Sequence, residues 1–254
     1  MTPPFRTSAA LKAVPHGFFG RQGGVSAGEI ASLNTGIGSG DDPAAIAENR
    51  RRVGDAVVPG AALVGVYQVH GNICATVDSP WADDARPEAD ALVTGRPGVL
   101  LGILTADCVP VLLADTDAGV VGAAHAGWKG ALAGITDATI KAMVRLGAEP
   151  ARICAAIGPC IGAASYEVDQ AFVDRFLAAD PVNDRYFRGG RAGHAMFDIA
   201  AYVAARLASA GVPRVEMIGD DTYALDGDYF SYRRACHHNE NGYGRQISVI
   251  GLPA

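Results

Sequence analysis

Residues 99–126, VLLGILTADCVPVLLADTDAGVVGAAHA, decide the fold. Two apolar runs, Val99–Ala106 and Pro110–Thr116, have the length and composition of buried strands. Asp115–Gly119 carries the Asp, Thr and Gly of a tight turn, so Val120–Ala126 returns as a further strand. Strands that follow one another this directly point to a mixed sheet. We therefore expect an α/β or α+β architecture with a mixed sheet, and adopt α+β, rather than a strictly alternating parallel one.

Working outward, Asp42 is a good N-cap and Pro43 suits a first helical turn, with Ile46, Val53 and Val57 recurring at near-helical spacing. Residues 16–40, rich in glycine, read as strand and loop with backbone amides open to a ligand. On the C-terminal side, Gly134–Gly147 is a helix with Ile135, Thr139, Met143 and Leu146 on one face. Arg152–Gly158 is a buried strand. Glu167–Ala179 is helical through Val168, Phe172 and Phe176. Phe197–Gly211 is helical through Ile199, Tyr202, Val203 and Leu207, with Asp198 as its cap. Val215–Gly219, Phe230–Arg233 and Gln246–Leu252 read as strands. With no repeat, low-complexity tract or long linker, residues 1–254 read as one domain.

The net charge of −6 argues against DNA or RNA as a partner, although a few local arginines still serve a small anion. No apolar stretch approaches the ~20 residues of a membrane span. Met1–Gly20 lacks a basic start followed by an apolar run, so no export signal is expected. The five cysteines are odd in number and widely spaced, which favours reduced thiols in a cytoplasmic protein. We expect a monomer or weak homo-oligomer with no membrane and no nucleic-acid partner.

Three short segments carry candidate chemistry: Gln68–Gly71, Thr105–Pro110 and His125–Gly130. Each sets a metal-competent side chain, His70, Cys108 or His125, at a strand end or turn beside Gly or Pro. Their wide spacing is unlike the close ligand pairs of zinc fingers and resembles catalytic sites assembled by a fold. A His–Cys–His set leaves a fourth position for water, whose pKa zinc lowers toward ~7. The same residues also permit a metal-free Cys108–His125 nucleophile pair oriented by Asp107. Gly158–Gly162 brackets Cys160 in a turn and reads as a structural thiol. Phe230–Arg234 sets two guanidinium groups beside aromatics, a pattern suited to phosphate or carboxylate, or to a solvated edge strand.

Taken together and in order, these segments resemble the laccase-domain family, also called YfiH-like or multicopper polyphenol oxidoreductase-like proteins. His16–Phe19, Gly23–Ser26, Ser32–Asn34, Gly40–Pro43 and Glu48–Arg50 resemble its N-terminal signature. Gln68–Gly71, Thr105–Pro110, His125–Gly130, Ile157–Gly162 and Phe230–Arg233 resemble the rest. The resemblance implies a mixed β-sandwich flanked by helices, in α/β/β/α layers, with His70, Cys108 and His125 as metal ligands. It implies zinc, with copper as an alternative. It further implies a purine nucleoside enzyme: phosphorolysis of adenosine, inosine, guanosine and methylthioadenosine, and deamination of adenosine. A copper-dependent polyphenol oxidase and a Cys–His hydrolase acting on cell-wall precursors are the competing activities.

A multicopper oxidase needs many histidine ligands, whereas this chain has six His, no His-x-His pair, and two of the six already committed to one site. A purine nucleoside enzyme places Asp107 as proton shuttle beside Cys108 and His125. Phosphate would then meet Asn34 in the glycine-rich loop, Arg50, Lys129 and Arg233. One departure stands out: Asp221-Thr222 where the family commonly has Cys-Thr. The polar segment 235–241 reads as an exposed loop.

Overall fold

The computed structural model describes residues 2–253. From the N-terminus the chain forms β1 (Phe5–Arg6), β2 (His16–Phe19), α1 (Pro43–Val57), β3 (Ala62–Val64), β4 (Cys74–Thr76) and β5 (Ala91–Thr94). The deciding stretch then forms β6 (Val99–Thr105), β7 (Val109–Asp115) and β8 (Val120–Ala126). There follow α2 (Trp128–Ala133), α3 (Ile135–Arg145), β9 (Cys154–Ile157), β10 (Glu167–Asp169) and α4 (Gln170–Ala179). The chain ends with β11 (Phe187–Gly189), β12 (His194–Phe197), α5 (Ile199–Ser209), β13 (Arg214–Met217), α6 (Tyr232–His238) and β14 (Gln246–Gly251).

Two large sheets result, in the orders β1-β2-β14-β6-β3 and β13-β9-β7-β8-β5-β4, with a small sheet β10-β12-β11 beside them. Strand alternation assigns the faces. In β7, Leu112 and Ala114 pack with Leu101 and Ile103 of β6, Phe18 of β2 and Ile250 of β14, forming the core between the two sheets. Val111 and Leu113 point the other way, against Ile140 and Met143 of α3, Phe172 and Phe176 of α4, and Val203 and Leu207 of α5. On the far side of the first sheet, Leu100, Ile247 and Val249 pack with Val53 of α1. The order is therefore helix, sheet, sheet, helices: the expected mixed sandwich. Among the described residues no helix is long and apolar enough to cross a membrane.

Asp42 caps α1 by accepting from the Ala44 N–H, as its position suggests. Two helix starts differ from expectation. Residues 167–169 pair with β12, and α4 begins only at Gln170 because Asp169 caps it through the Phe172 N–H. Phe197 likewise ends β12, and α5 starts after Asp198. The larger correction concerns Phe230–Arg233, expected as a strand. Ser231 is an N-cap whose hydroxyl accepts the Arg234 N–H, so Tyr232–His238 is helical. Asn239 closes that helix at φ +55°, so most of the expected 235–241 loop is helix and cap.

Candidate metal centre

The β7–β8 hairpin is the scaffold. Its register pairs Val109 with Ala126 and Pro110 with His125, which brings Cys108, just before β7, alongside the end of β8. β5 lies on the other side of β8 with Ala91 opposite Ala124, so Asp90 falls beside His125 and accepts its backbone N–H at 2.7 Å. His70 reaches the same point from the loop before β4, in the left-handed region at φ +60°.

Sequence reasoning missed Asp90, the residue that holds this loop. Its buried carboxylate accepts from the His70 N–H at 2.9 Å, the Gly71 N–H at 2.6 Å and the Val69 N–H at 3.2 Å. The same carboxylate lies 2.8 Å from His125 Nδ1. An ionised carboxylate has no proton to give, so Nδ1 carries one and Nε2 is left to bind. Carboxylate support behind a ligating imidazole is the usual companion of a metal-binding histidine. Burial works against the Asp90 charge, but His125 and the Gly71 and His70 amides outweigh it and hold the carboxyl below its ordinary range.

The ligand atoms of His70, Cys108 and His125 all lie within 4.8 Å of one another. Cys108 Sγ is 3.9 Å from His70 Nε2, and the two imidazole rings meet edge-on at 4.8 Å. Burial disfavours the Cys108 thiolate, yet His125 and His70 outweigh it and bring the thiol well below its ordinary value. Burial likewise disfavours a charged His125, and Cys108 and Asp90 together raise it. Room for these rings is made by Gly127. A Cβ there would lie 2.7 Å from His70 Cδ2, 3.2 Å from Cys108 Sγ and 3.5 Å from His125 Cε1. Gly130 serves the same packing, since its Cβ would lie 2.6 Å from the Gly71 carbonyl oxygen. Two nitrogen donors, one thiolate and a carboxylate behind one imidazole fit a single zinc ion with one side open.

The donors stand between two cavities. The larger, about 560 Å³, is lined by Tyr67, Arg86, Thr105, Tyr243 and Arg245 as well as all three donors. The smaller, about 250 Å³, is mostly apolar, with Trp128, Ile161, Tyr166, Ile199 and Arg233 around His70 and Cys108. Tyr232 borders both.

The other expected site residues are spread around this centre. Asp107, at φ +82°, accepts from Thr222 Oγ1 at 2.7 Å, Ser231 Oγ at 2.9 Å and the Arg233 N–H at 2.7 Å. None of these hydrogen bonds goes to His70, Cys108 or His125. Burial pushes its carboxyl above the ordinary range in spite of those donors. Asn34 is wholly buried and closes its own loop, donating to Ser39 and Asp41 and accepting from the Gly36 and Arg245 amides. Arg50 is buried behind that loop and paired with Asp83 at 3.3 Å. Lys129 lies over the Trp128 ring and lines neither cavity. Arg233 lies over Tyr166 on the smaller cavity, with its guanidinium donating to the Glu167 carbonyl. Sequence reasoning also missed Arg86 and Arg245, which line the larger cavity.

Burial raises the Cys160 thiol far above its ordinary value, as befits a structural cysteine. The departure at Asp221 is structural too. Its carboxylate accepts from the Gly162 and Tyr223 amides and the Ser165 hydroxyl, tying the 160s turn to the 220s segment.

The chain is similar in sequence and fold to known proteins. The purine nucleoside phosphorylase of Deinococcus radiodurans is 45% identical over 244 residues, covering 95% of this chain and 90% of its own. Purine nucleoside phosphorylase ORF3 of Streptomyces griseus is 43% identical, covering 90% of this chain and 92% of its own. Among solved structures, the hypothetical protein YfiH of Bacillus licheniformis superposes with a TM-score of 0.88 at 32% identity, covering 98% of this chain and 99% of its own. YlmD from Geobacillus stearothermophilus gives 0.86 at 30% identity, covering 99% of this chain and 100% of its own. The family described as multi-copper polyphenol oxidoreductase laccase matches residues 15–253, and this chain belongs to it.

Proposed function

We propose that this chain is a zinc-dependent purine nucleoside phosphorylase acting on adenosine, inosine, guanosine and methylthioadenosine, with adenosine deamination as the reaction of water at the same place. One observation carries the reading: a His70–Cys108–His125 donor set, backed by Asp90, open between a larger mixed cavity and a smaller aromatic one. The names of its relatives support the substrate class. In phosphorolysis a phosphate oxygen bonds to the ribose C1′ as the C1′–N bond breaks. The electron pair leaves with the base, which takes up a proton.

Bound zinc supplies a Lewis acid at this position. Asp90 fixes the His125 tautomer and the His70 loop. Trp128, Tyr166 and Tyr232 offer aromatic faces to a planar base, and Ile161 and Ile199 exclude water around it. Asp107 borders the smaller cavity and is a positioning residue, holding the 222, 231 and 233 segments over it. Free cysteines throughout the described residues fit a reducing, cytoplasmic setting.

A copper cluster lacks ligands. The four histidines outside the site are engaged elsewhere: His16 with Ser8 and Val14, His194 with Arg191 and Ala192, His237 with Tyr223, His238 beside Glu240. A blue-copper site would also want an axial Met, and no Met lines either cavity.

The test follows base and ribose phosphate by chromatography from each nucleoside, with and without inorganic phosphate. Phosphate-dependent base release by wild type, abolished in Cys108→Ser, is the expected result. No release from any purine nucleoside by zinc-replete protein overturns the reading. Activity that survives complete zinc removal and is lost on thiol alkylation assigns the site to a Cys108–His125 nucleophile instead.

A further inference from the structure

We propose that Arg86 and Arg245, set about the turn at Gly38, form the binding site for inorganic phosphate; this rests on the phosphorolysis reading above. Both arginines line the larger cavity that is also lined by His70, Cys108 and His125. Several other arginines are paired with carboxylates: Arg50 with Asp83, Arg191 with Glu167, Arg234 with Asp226. Among the described residues neither Arg86 nor Arg245 has a carboxylate partner. Each is instead anchored by neutral groups. Arg86 Nε donates to the Asp83 carbonyl at 2.6 Å. Arg245 lies over the Tyr243 ring at 4.8 Å, and one Nη donates to the Tyr243 hydroxyl at 3.2 Å. Anchored guanidinium forks with unused donors at a concave site are what an oxyanion binds.

Two further features of the same cavity fit. Gly38 sits in the left-handed region at φ +84°, with open space where a Cβ would stand, so a ligand can approach the backbone closely. Thr105, which also lines this cavity, has its Oγ1 buried behind the surface without a hydrogen-bond partner. Two forks from separate segments suit a tetrahedral anion better than a planar carboxylate, which one fork satisfies. Arg50 stands behind the glycine loop in an adjoining cavity that shares Ile37 and Gly38, where Asp83 already pairs it. Arg233 and Lys129 lie toward Tyr166 and Trp128, outside this cavity.

Calorimetric titration of inorganic phosphate into the zinc-loaded protein tests the assignment. Arg86→Gln and Arg245→Gln should each weaken phosphate binding at least about tenfold, and Arg245→Lys less. The control Arg214→Gln, on an exposed strand end, should leave it unchanged. In turnover, KM for phosphate should rise in the two Gln variants while KM for the nucleoside stays within about twofold. Melting curves identify any variant that fails to fold, and the other then decides. Wild-type phosphate affinity in folded Arg86→Gln and Arg245→Gln overturns the site. So does a wild-type protein that releases base without binding phosphate. Phosphate bound by wild type and lost in the variants, with no nucleoside turned over, supports the site and overturns the function proposed above.

Discussion

Asp90→Asn should cost about 10- to 100-fold in zinc affinity and about 3 kcal/mol in stability, seen as a melting temperature lower by roughly 6–10 °C. The replacement is nearly isosteric, so the effect isolates the carboxylate. In the native chain both oxygens are used, by three successive backbone N–H groups and by His125 Nδ1. An amide presents an N–H group where one oxygen stood, against donors that cannot turn away. The His70 loop and the His125 ring lose their common anchor together. The pH dependence has a definite sign. The folded carboxyl titrates below its ordinary value, so its stabilisation is complete above the unfolded value near ~4. It is lost as pH falls through the folded value. Wild type should therefore lose stability below pH ~4 along a limb that Asp90→Asn lacks. Melting and zinc titration across that range check both points, and an Asn variant that matches wild type in both removes Asp90 from the account.

Gly127→Ala should leave the fold standing and strip the centre. Gly127 has φ −66° and ψ 160°, which alanine adopts freely, so the added methyl acts by contact alone. Its nearest neighbours are side-chain atoms of the three donors, with His70 Cδ2 at 2.7 Å the closest. His70 is exposed and on a loop, so it is the group that gives way. Zinc affinity should fall at least about tenfold, with a stability change of about 1–2 kcal/mol. The paired readouts, metal content and thermal melting, separate this from general misfolding. Full zinc occupancy in the alanine variant would show that the donors do not converge over Gly127.

The physical basis of what the sequence made legible is local. Residues 99–126 show their strands because both faces of β6 in one sheet and of β7 and β8 in the other are buried, which makes the runs continuously apolar. Asp42 and Asp198 mark helix starts because capping needs only the few residues around them. His70, Cys108 and His125 stand out because each sits in a short Gly- or Pro-flanked segment. Residues whose role depends on distant partners gave no such signal. Asp90 is one acidic residue before a four-residue strand, and only the β5–β8 register places it beside His125. Arg86 and Arg245 line one cavity from segments far apart in the chain. Phe230–Arg233 misleads because aromatic residues favour strands, whereas the Ser231 cap and its bond to the Arg234 amide set a helix. Asn34, expected as a phosphate contact, and Asp107, expected as a proton shuttle, each hydrogen-bond to the backbone and side chains around them.

In the proposed centre His70, Cys108 and His125 together hold one zinc ion. Elemental analysis of purified wild-type protein beside His70→Ala tests it most directly. One zinc per chain in wild type and a large loss in the variant are expected, with melting temperatures showing both to be folded. Wild-type protein without stoichiometric metal after zinc loading, or a His70→Ala variant that retains its full complement, would contradict it.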